Sequence, residues 1–275
     1  MKHILIAGAN SYIGESFKEF LEQYPDQYSV TEIGTKGLEP TPDQFDGIDA
    51  IFCVAGIAHI KETSENRHLY FEVNRDLVVK IAQTAKKAGV KQFILLSSMS
   101  VYGLTVGYIT KDTKPNPNTA YGKSKLQADE EIKKLEDSNF IFTCLRPPMV
   151  YGKNCTGNYQ SLRKFALKSP VFPKYGNKRS MLYIGNLCSF VKLCIDFERR
   201  GLFFPQNADY INTSRMVQLI AEQHDKKIVL TRAFNWVIKI VPVSVVKKVF
   251  GSLTYELVDT VGDFNLEESI RLSEE

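Results

Sequence analysis

The first 145 residues alternate between short apolar runs of strand length and longer stretches whose apolar residues recur at helical spacing. Strands joined by helices form right-handed βαβ units, and their parallel sheet is covered on both faces. The pattern therefore predicts an α/β fold built on a doubly wound parallel sheet. The strand-like runs lie near 3–7, 28–33, 50–55, 91–97 and 140–145, and the helical stretches near 12–23, 66–88 and 119–136.

The second crossover, residues 34–47, interrupts this alternation. It contains Gly37, Pro40 and Pro42, residues that favour turns over helices. We therefore expect a loop there.

From Tyr151 onward the pattern becomes irregular and rich in Pro, Gly and aromatic residues. We expect a first domain over residues 1–150 and a smaller C-terminal lobe over 151–275. The strand-like 182–184 and the helical 186–197 resemble the first domain, so the segment 180–200 is predicted to return to it. The lobe is then interleaved with the first domain.

Residues 236–250 admit two interpretations, because they mix apolar residues with Lys239, Lys247 and Lys248. One is an interfacial helix that touches a membrane. The other, which we favour, is a pair of short helices of the C-terminal lobe, broken at Pro242.

Composition limits the function classes. A hydrophobic content of 44%, a charged content of 24% and a net charge of +4 fit a protein that binds small anions, without the basic cluster expected for nucleic-acid binding. No apolar run approaches the roughly 20 residues of a membrane span. Met1–His3 lead directly into the first strand, which predicts a cytoplasmic protein without a signal peptide. The scattered cysteines and histidines predict neither disulfides nor a metal site.

Tyr121 and Lys125 stand four residues apart, ahead of the helix-forming run 126–135. In a helix, positions i and i+4 share one face, so the phenol and the ammonium can point at the same atom. A free tyrosine has a pKa of about 10, and a neighbouring cation lowers it. Poising it near pH 7 requires roughly 4 kcal/mol of electrostatic help. The pair is a candidate for proton transfer.

Two strand ends add to this candidate. Gly8 and Gly14 flank a turn from the first strand to the first helix, where backbone N–H groups and the helix dipole can hold a diphosphate. Ser97 and Ser98 end a buried strand-like run, and ligands bind at the carboxyl ends of strands in doubly wound sheets.

With these elements the chain resembles the extended short-chain dehydrogenase/reductase family, also called the NAD-dependent epimerase/dehydratase family, over nearly its whole length. The resemblance implies a Rossmann-like NAD(P)-binding domain, a substrate-binding lobe and membership of the nucleotide-sugar branch, with a homodimer as one option. It rests on the segments 8–14, 49–56, 73–74, 92–103, 121–125, 145–152, 157–158 and 177–187.

The resemblance assigns roles residue by residue. The catalytic set is Ser98, Tyr121 and Lys125, with Ser97 and Ser100 as alternatives to Ser98. Tyr121 exchanges a proton with the sugar oxygen, and Ser98 also binds the substrate. Residues aligned with the family's cofactor site, apart from the second-strand end, are Gly8, Ser11, Tyr12, Ile13, Gly14, Ala55, Gly56, Asn74, Tyr121, Lys125 and Pro148.

Three further assignments complete the pattern. Arg179 is expected to bind the nucleotide diphosphate, because its guanidinium fork suits phosphate. Asn158 is expected to bind the diphosphate or the adjacent sugar. His59 and Lys61 lie near the expected sugar pocket and are not placed in the catalytic set. Ser11 replaces the middle glycine of the phosphate loop but keeps the backbone N–H, so we expect binding to survive.

The end of the second strand bears on the choice of cofactor. The position that often carries an aspartate for the ribose 2′-hydroxyl falls at Gly34, and Lys36 follows it. Because glycine leaves room for a 2′-phosphate and lysine offers a charge, NADP is favoured over NAD. The competing interpretation gives the acidic role to Glu32, two positions earlier.

Three functions fit these residues. The first is a 4-keto-reductase that acts on a UDP- or dTDP-linked sugar in surface-polysaccharide synthesis. The second is a UDP-sugar 4-epimerase that retains NAD. The third, from another class, is a cofactor-sensing regulator, and the presence of Ser98, Tyr121 and Lys125 argues against it.

Overall fold

Six parallel strands form the central sheet of the computed structural model, which describes residues 1–58, 60, 62–233 and 249–275. The order across the sheet is β10-β6-β4-β3-β1-β2. The strands are β1 (Lys2–Ala7), β2 (Tyr28–Ile33), β3 (Ala50–Cys53), β4 (Gln92–Leu96), β6 (Ile141–Leu145) and β10 (Gly201–Phe203).

Helices cover both faces of this sheet. On one face, Ile81, Ala128 and Ile132 belong to the same apolar cluster as alternate strand residues such as Leu5 and Phe93. On the other face Phe17 meets Phe52 edge-on, with ring centroids 5.1 Å apart. The helices are α1 (Tyr12–Leu21), α2 (Arg67–Phe71), a π-helix (Glu72–Leu77), α3 (Val78–Lys87), α4 (Ala120–Lys133) and α6 (Ile184–Asp196), with 3-10 turns at Pro42–Phe45 and Met99–Tyr102.

The predicted α/β fold with a parallel sheet is confirmed. The crossover 34–47 is a loop that contains only the 3-10 turn Pro42–Phe45. The crossover 34–47 adds no strand beyond β2, so the chain turns back from β2 and crosses β1 to reach β3. The strand order therefore reverses between β1 and β3. Ligands of open α/β sheets bind at the carboxyl ends of strands at such a reversal.

The chain divides into two units. The first unit comprises 1–103, 114–147 and 188–204, and the second comprises 104–113, 148–187 and 205–275. One boundary between the two units falls inside α6, between Leu187 and Cys188. The assignment of cofactor binding to 1–150 and substrate binding to 151–275 stays a prediction.

The second unit is built from short strands paired two by two, all parallel. Its strand pairs are β5 (Gly107–Ile109) with β13 (Leu253–Tyr255), β7 (Met149–Tyr151) with β9 (Met181–Tyr183), β8 (Val171–Pro173) with β12 (Val229–Thr231), and β11 (Gln206–Asn207) with β14 (Thr260–Val261). Its helices are α5 (Asn158–Lys168), α7 (Thr213–Glu222) and α8 (Leu266–Glu274).

His59, Lys61 and residues 236–248 lie outside the described residues, so the two interpretations of 236–250 stay open. Within the described ranges, no helix is both long and apolar enough to cross a bilayer. The five cysteines are buried free thiols.

Candidate active site

The turn after β1 requires glycine at position 8. Gly8 has φ +128°, a region that other residues rarely adopt. A Cβ there would lie 2.8 Å from Cγ2 of Val54 and 3.1 Å from the backbone N of Ala55. Glycine therefore lets this turn meet the end of β3 at the point where the strand order reverses.

Ser11 shows why the departure from glycine is tolerated. Its φ of −86° is ordinary for any residue, and its hydroxyl accepts a hydrogen bond from N–H of Gly14 at 3.1 Å. Ser11 is thus the N-cap of α1, a role that suits serine. Tyr12 and Ile13 are the first residues of that helix and are half-buried.

The end of β2 is open. A Cβ built on Gly34 would meet no atom within 4 Å, and Lys36 is exposed. Glu32, the competing acidic residue, pairs with Lys18 at 2.6 Å. Its carboxylate is thereby held by α1.

The π-helix directs Asn74 inward. Asn74 is fully buried; its Oδ1 accepts from N–H of Ile57 at 2.7 Å, and its Nδ2 donates to the Ile57 carbonyl at 3.1 Å and to Ser124 Oγ at 3.3 Å. One side chain therefore fixes the backbone just after β3 and links it to α4. π-helical turns occur frequently at functional sites.

Lys125 lies beneath that fixed backbone. Its buried ammonium donates to the carbonyls of Ala55 at 3.3 Å and Leu96 at 3.0 Å. A Cβ on Gly56 would lie 3.0 Å from both Lys125 Nζ and Asn74 Oδ1, so glycine lets these two side chains pack against the backbone. Burial lowers the pKa of Lys125 from its ordinary value.

Ser98 lies next to the Tyr121 phenol. Ser98 is half-buried at the end of β4, where its Oγ also accepts from N–H of Ser100 at 3.1 Å. Burial raises the pKa of Tyr121 above its ordinary value of 10, and the neighbouring Ser98 hydroxyl lowers this pKa by a smaller amount. The net direction differs from the lowering expected from Lys125, because removing the phenolate from water outweighs the other effects.

Two glycines let α4 approach the turn after β4. A Cβ on Gly122 would lie 2.6 Å from the carbonyl oxygen of Ser100, and one on Gly103 would lie 2.1 Å from that of Asn116. Thr119 caps the helix by accepting from N–H of Gly122 at 3.1 Å. These contacts bring Tyr121 to the 3-10 turn Met99–Tyr102 and its N-cap Ser98, which together we call the serine turn.

The alternative hydroxyls are less suited to the catalytic role. The Oγ of Ser97 is buried and donates to Asp129 at 2.9 Å. Ser100 is exposed. Ser98 therefore remains the best candidate.

The other predicted residues belong to the second unit. Pro148 is buried just before β7, and Asn158 is exposed at the first residue of α5. Arg179 is half-buried and donates from Nη1 to the carbonyl of Gly251 at 2.8 Å. In the described part of the chain no carboxylate pairs with Arg179, and burial lowers its pKa.

Four residues of the first unit are missing from the sequence prediction: Gly103, Gly122, Asp129 and Arg146. Gly122 inside a helix was a usable signal, since glycine there is costly and indicates close approach. Asp129 continues the i+4 spacing of Tyr121 and Lys125 on α4. Across the described ranges, no cluster of three or more His, Cys, Asp or Glu could hold a metal ion.

Comparison with known proteins defines the family. Residues 4–201 match the model of the NAD dependent epimerase/dehydratase family. The chain therefore belongs to this family. Its relatives and structural neighbours include nucleotide-sugar epimerases and reductases.

Two curated relatives are 4-epimerases. The UDP-glucose 4-epimerase of Vibrio cholerae is 33% identical over 189 residues, which are 64% of this chain and 57% of that enzyme. The chain thus matches less than two thirds of its length. The N-acetyl-alpha-D-glucosaminyl-diphospho-ditrans,octacis-undecaprenol 4-epimerase of Escherichia coli O157:H7 is 26% identical over 246 residues, 82% of this chain and 73% of that protein.

Solved structures share the fold at low identity. The UDP-glucuronic acid 4-epimerase of Bacillus cereus, in complex with NAD, has a TM-score of 0.77 at 16% identity and covers 99% of this chain and 95% of its own. The dTDP-4-dehydrorhamnose reductase of Bacillus anthracis, in complex with NADP, has a TM-score of 0.68 at 18% identity, with 86% of each chain covered.

Proposed function

We propose that this chain reduces C4 of a 4-keto-sugar bound to a nucleoside diphosphate, with NADPH as the reductant, in the cytoplasmic synthesis of surface-polysaccharide sugars. The observation that carries the proposal is the end of β2. Gly34 leaves open space, Lys36 is exposed, and Glu32 is held by Lys18. A carboxylate at this position would repel a 2′-phosphate, whereas a free lysine attracts it.

The residues present fit a nicotinamide dinucleotide. The turn 8–14 offers backbone N–H groups and the start of α1 to the diphosphate. Gly56 lets the backbone after β3 pack closely against the buried side chains of Asn74 and Lys125, which places the Lys125 ammonium at the carboxyl end of that strand. Lys125 has three donors and uses two on backbone carbonyls, which leaves one for a ribose hydroxyl. When bound, the reduced cofactor supplies a hydride.

Tyr121 supports the direction of reduction. Because burial raises its pKa, the phenol carries its proton at neutral pH and can donate it to the oxygen of a carbonyl as that oxygen becomes negative. Ser98, which lies next to Tyr121, can hold the same oxygen and orient the carbonyl. Lys125 keeps the backbone after β3 and the end of β4 in register with α4.

Arg179 supports a diphosphate-bearing substrate. A half-buried guanidinium that donates to a backbone carbonyl and, among the described residues, pairs with no carboxylate can gain strongly from a phosphate. Asn158 adds an exposed amide at the start of α5. We assign both to a UDP- or dTDP-linked sugar. A homodimer remains an expectation from the family resemblance.

A second candidate, a UDP-sugar 4-epimerase that retains NAD, is favoured by the names of the two curated relatives. It uses the same Ser98, Tyr121 and Lys125, but it needs a cofactor that stays bound and returns its hydride to the other face of the sugar.

The cofactor content of freshly purified protein separates the two candidates. We expect a site that is empty or exchanges freely, and that takes up added NADPH more tightly than NADH. One equivalent of NAD+ released only on denaturation would reject the reductase and favour the epimerase. The Gly8→Val variant, which places a branched side chain against Val54, controls for non-specific binding.

A further inference from the structure

A buried ion pair lies behind the candidate catalytic residues. Asp129 follows Tyr121 by eight positions and Lys125 by four, so all three share one face of α4. Its Oδ2 accepts from Arg146 Nε at 3.0 Å and from Ser97 Oγ at 2.9 Å. Asp129 is 4% exposed and Arg146 is 8% exposed.

The partners of this pair belong to the segments that carry the candidate site. Ser97 immediately precedes Ser98, and its N–H donates to the carbonyl of Leu145, the last residue of β6, at 2.7 Å. Arg146 follows β6 directly, and its Nη1 donates to the phenol of Tyr102 at 2.9 Å. Tyr102 ends the 3-10 turn that Ser98 caps. One carboxylate therefore links α4, the end of β4, the end of β6 and the serine turn.

We propose that Asp129 and Arg146, together with Ser97, form a positioning network. The network holds the Ser98 hydroxyl and the Tyr121 phenol so that both can reach the same substrate oxygen. The inference rests on the proposed function for the reaction that is positioned. None of the three is assigned a contact with substrate or cofactor, so they act through Ser98 and Tyr121.

Stability alone is a poor explanation for such a pair. Desolvating two charges often cancels their attraction, and apolar residues of similar volume can replace a buried pair with little loss of stability. A network that joins two strand ends, a turn and a helix instead constrains geometry, and small misplacements near a reacting centre are costly for rate. Stability and rate can therefore be separated by experiment.

The first test compares four variants in NADPH-dependent reduction of UDP- and dTDP-linked 4-keto sugars. Asp129→Asn and Arg146→Met each leave one member of the pair without its charged partner, whereas the double variant Asp129→Leu/Arg146→Met leaves neither charge. Ser97→Ala removes one hydrogen bond. We expect the double variant to melt at a higher temperature than either single variant while kcat stays roughly tenfold or more below wild type. Ser97→Ala should lower kcat several-fold with an almost unchanged melting temperature.

A matched control sits at the other end of the same strands. Gln92, at the start of β4, is buried and donates from Nε2 to Thr143 Oγ1 and to the carbonyl of Cys194, both at 3.0 Å. Gln92→Leu should lower the melting temperature but leave kcat unchanged. Recovery of kcat together with stability in the double variant, or a kcat loss in Gln92→Leu equal to that in Asp129→Asn, would overturn the proposal.

A second readout needs no substrate and so separates this inference from the proposed function. The ultraviolet titration of tyrosine is measured for each protein and for its Tyr121→Phe counterpart, and the difference reports Tyr121. The groups that act on the pKa of the Tyr121 phenol are Ser98, Tyr70 and Asp129, and the Asp129 carboxylate raises it. Asp129→Asn should shift the Tyr121 titration to lower pH and Gln92→Leu should not. An unchanged Tyr121 titration in Asp129→Asn would overturn the network. If the titration shifts in Asp129→Asn but the wild type reduces no ketone, only the proposed reaction is refuted.

Discussion

The two units of this chain solve the same problem of burying polar backbone in different ways. In the first, long runs of apolar residues pair their backbones in one parallel sheet, and the ladder itself satisfies the N–H and C=O groups. In the second, strands of two or three residues satisfy few of them, and buried side chains such as Asn186 bind further loop groups. The first unit carries the candidate site residues near its strand ends, while buried asparagines of the second unit hold loops.

Asn186 illustrates the second mode. Its Nδ2 donates to Asn207 Oδ1 at 2.9 Å and to the carbonyl of Phe264 at 3.1 Å, and its Oδ1 accepts from N–H of Phe264 at 3.0 Å. It is fully buried. Asn177 similarly accepts from N–H of Thr213 at 3.1 Å. Such residues fix loops whose backbones have no neighbouring strand.

The largest expected effect tests the first unit. Tyr121→Phe removes only the phenolic oxygen, so kcat for ketone reduction should fall by roughly a hundredfold or more while the Kd of NADPH stays within about twofold. Steady-state kinetics and calorimetric titration measure the two quantities. The exposed Tyr108→Phe is the control and should match wild type. A Tyr121→Phe enzyme within a few-fold of wild type would remove Tyr121 from the chemistry.

The next effect tests the second unit. Asn186→Leu should lower the free energy of unfolding by about 3 kcal/mol, because it leaves the part-buried N–H and C=O groups of Phe264 without their partner. Urea unfolding measures this loss, with the exposed Asn139→Ala as control. Equal losses for the two variants would mean that buried asparagines do not hold this unit together.

Arg179→Ala should weaken the binding of UDP or dTDP by about 1.5–3 kcal/mol, since a charge-assisted bond to phosphate is lost. NADPH binding should not change, because Arg179 is proposed to bind the sugar nucleotide and not the cofactor. Calorimetry with each ligand checks both statements, and Lys178→Ala is the neighbouring exposed control. Unchanged affinity for both nucleotides would place the diphosphate elsewhere.

The smallest effect concerns Lys36. Lys36→Ala should weaken NADPH binding about tenfold and leave NADH unchanged, because the exposed lysine is expected to meet only the 2′-phosphate. The exposed Lys87→Ala should change neither. If wild type binds NADH more tightly and Lys36→Ala has no effect, the preference for NADP is wrong.

The same contrast explains what sequence could predict. The first unit was predictable because parallel strands buried on both faces produce apolar runs, and βαβ units follow one hand. Tyr121 and Lys125 stood out because helical spacing is regular. The second unit was not predictable in detail, since its strands are too short for periodicity and its order comes from side chains such as Asn186.

Within the site, sequence missed the residues that act on other residues. Asp129 and Arg146 lie 17 positions apart and meet only because β6 lies beside β4 in the sheet. The raised pKa of Tyr121 was also beyond sequence, because it depends on how deeply the phenol is buried. Spacing along a helix is local, whereas burial and cross-strand contacts are not.

The proposed reduction of a 4-keto sugar by NADPH is tested by following the hydride itself. NADPH deuterated at C4 of the nicotinamide is mixed with UDP- and dTDP-linked 4-keto sugars, and the product is examined by NMR and mass spectrometry. We expect one deuterium at C4 of the sugar for each NADP+ formed, and incorporation that is roughly a hundredfold or more slower with Tyr121→Phe. Interconversion of C4 epimers by a protein that retains NAD+, with no net oxidation of NADPH, would contradict it.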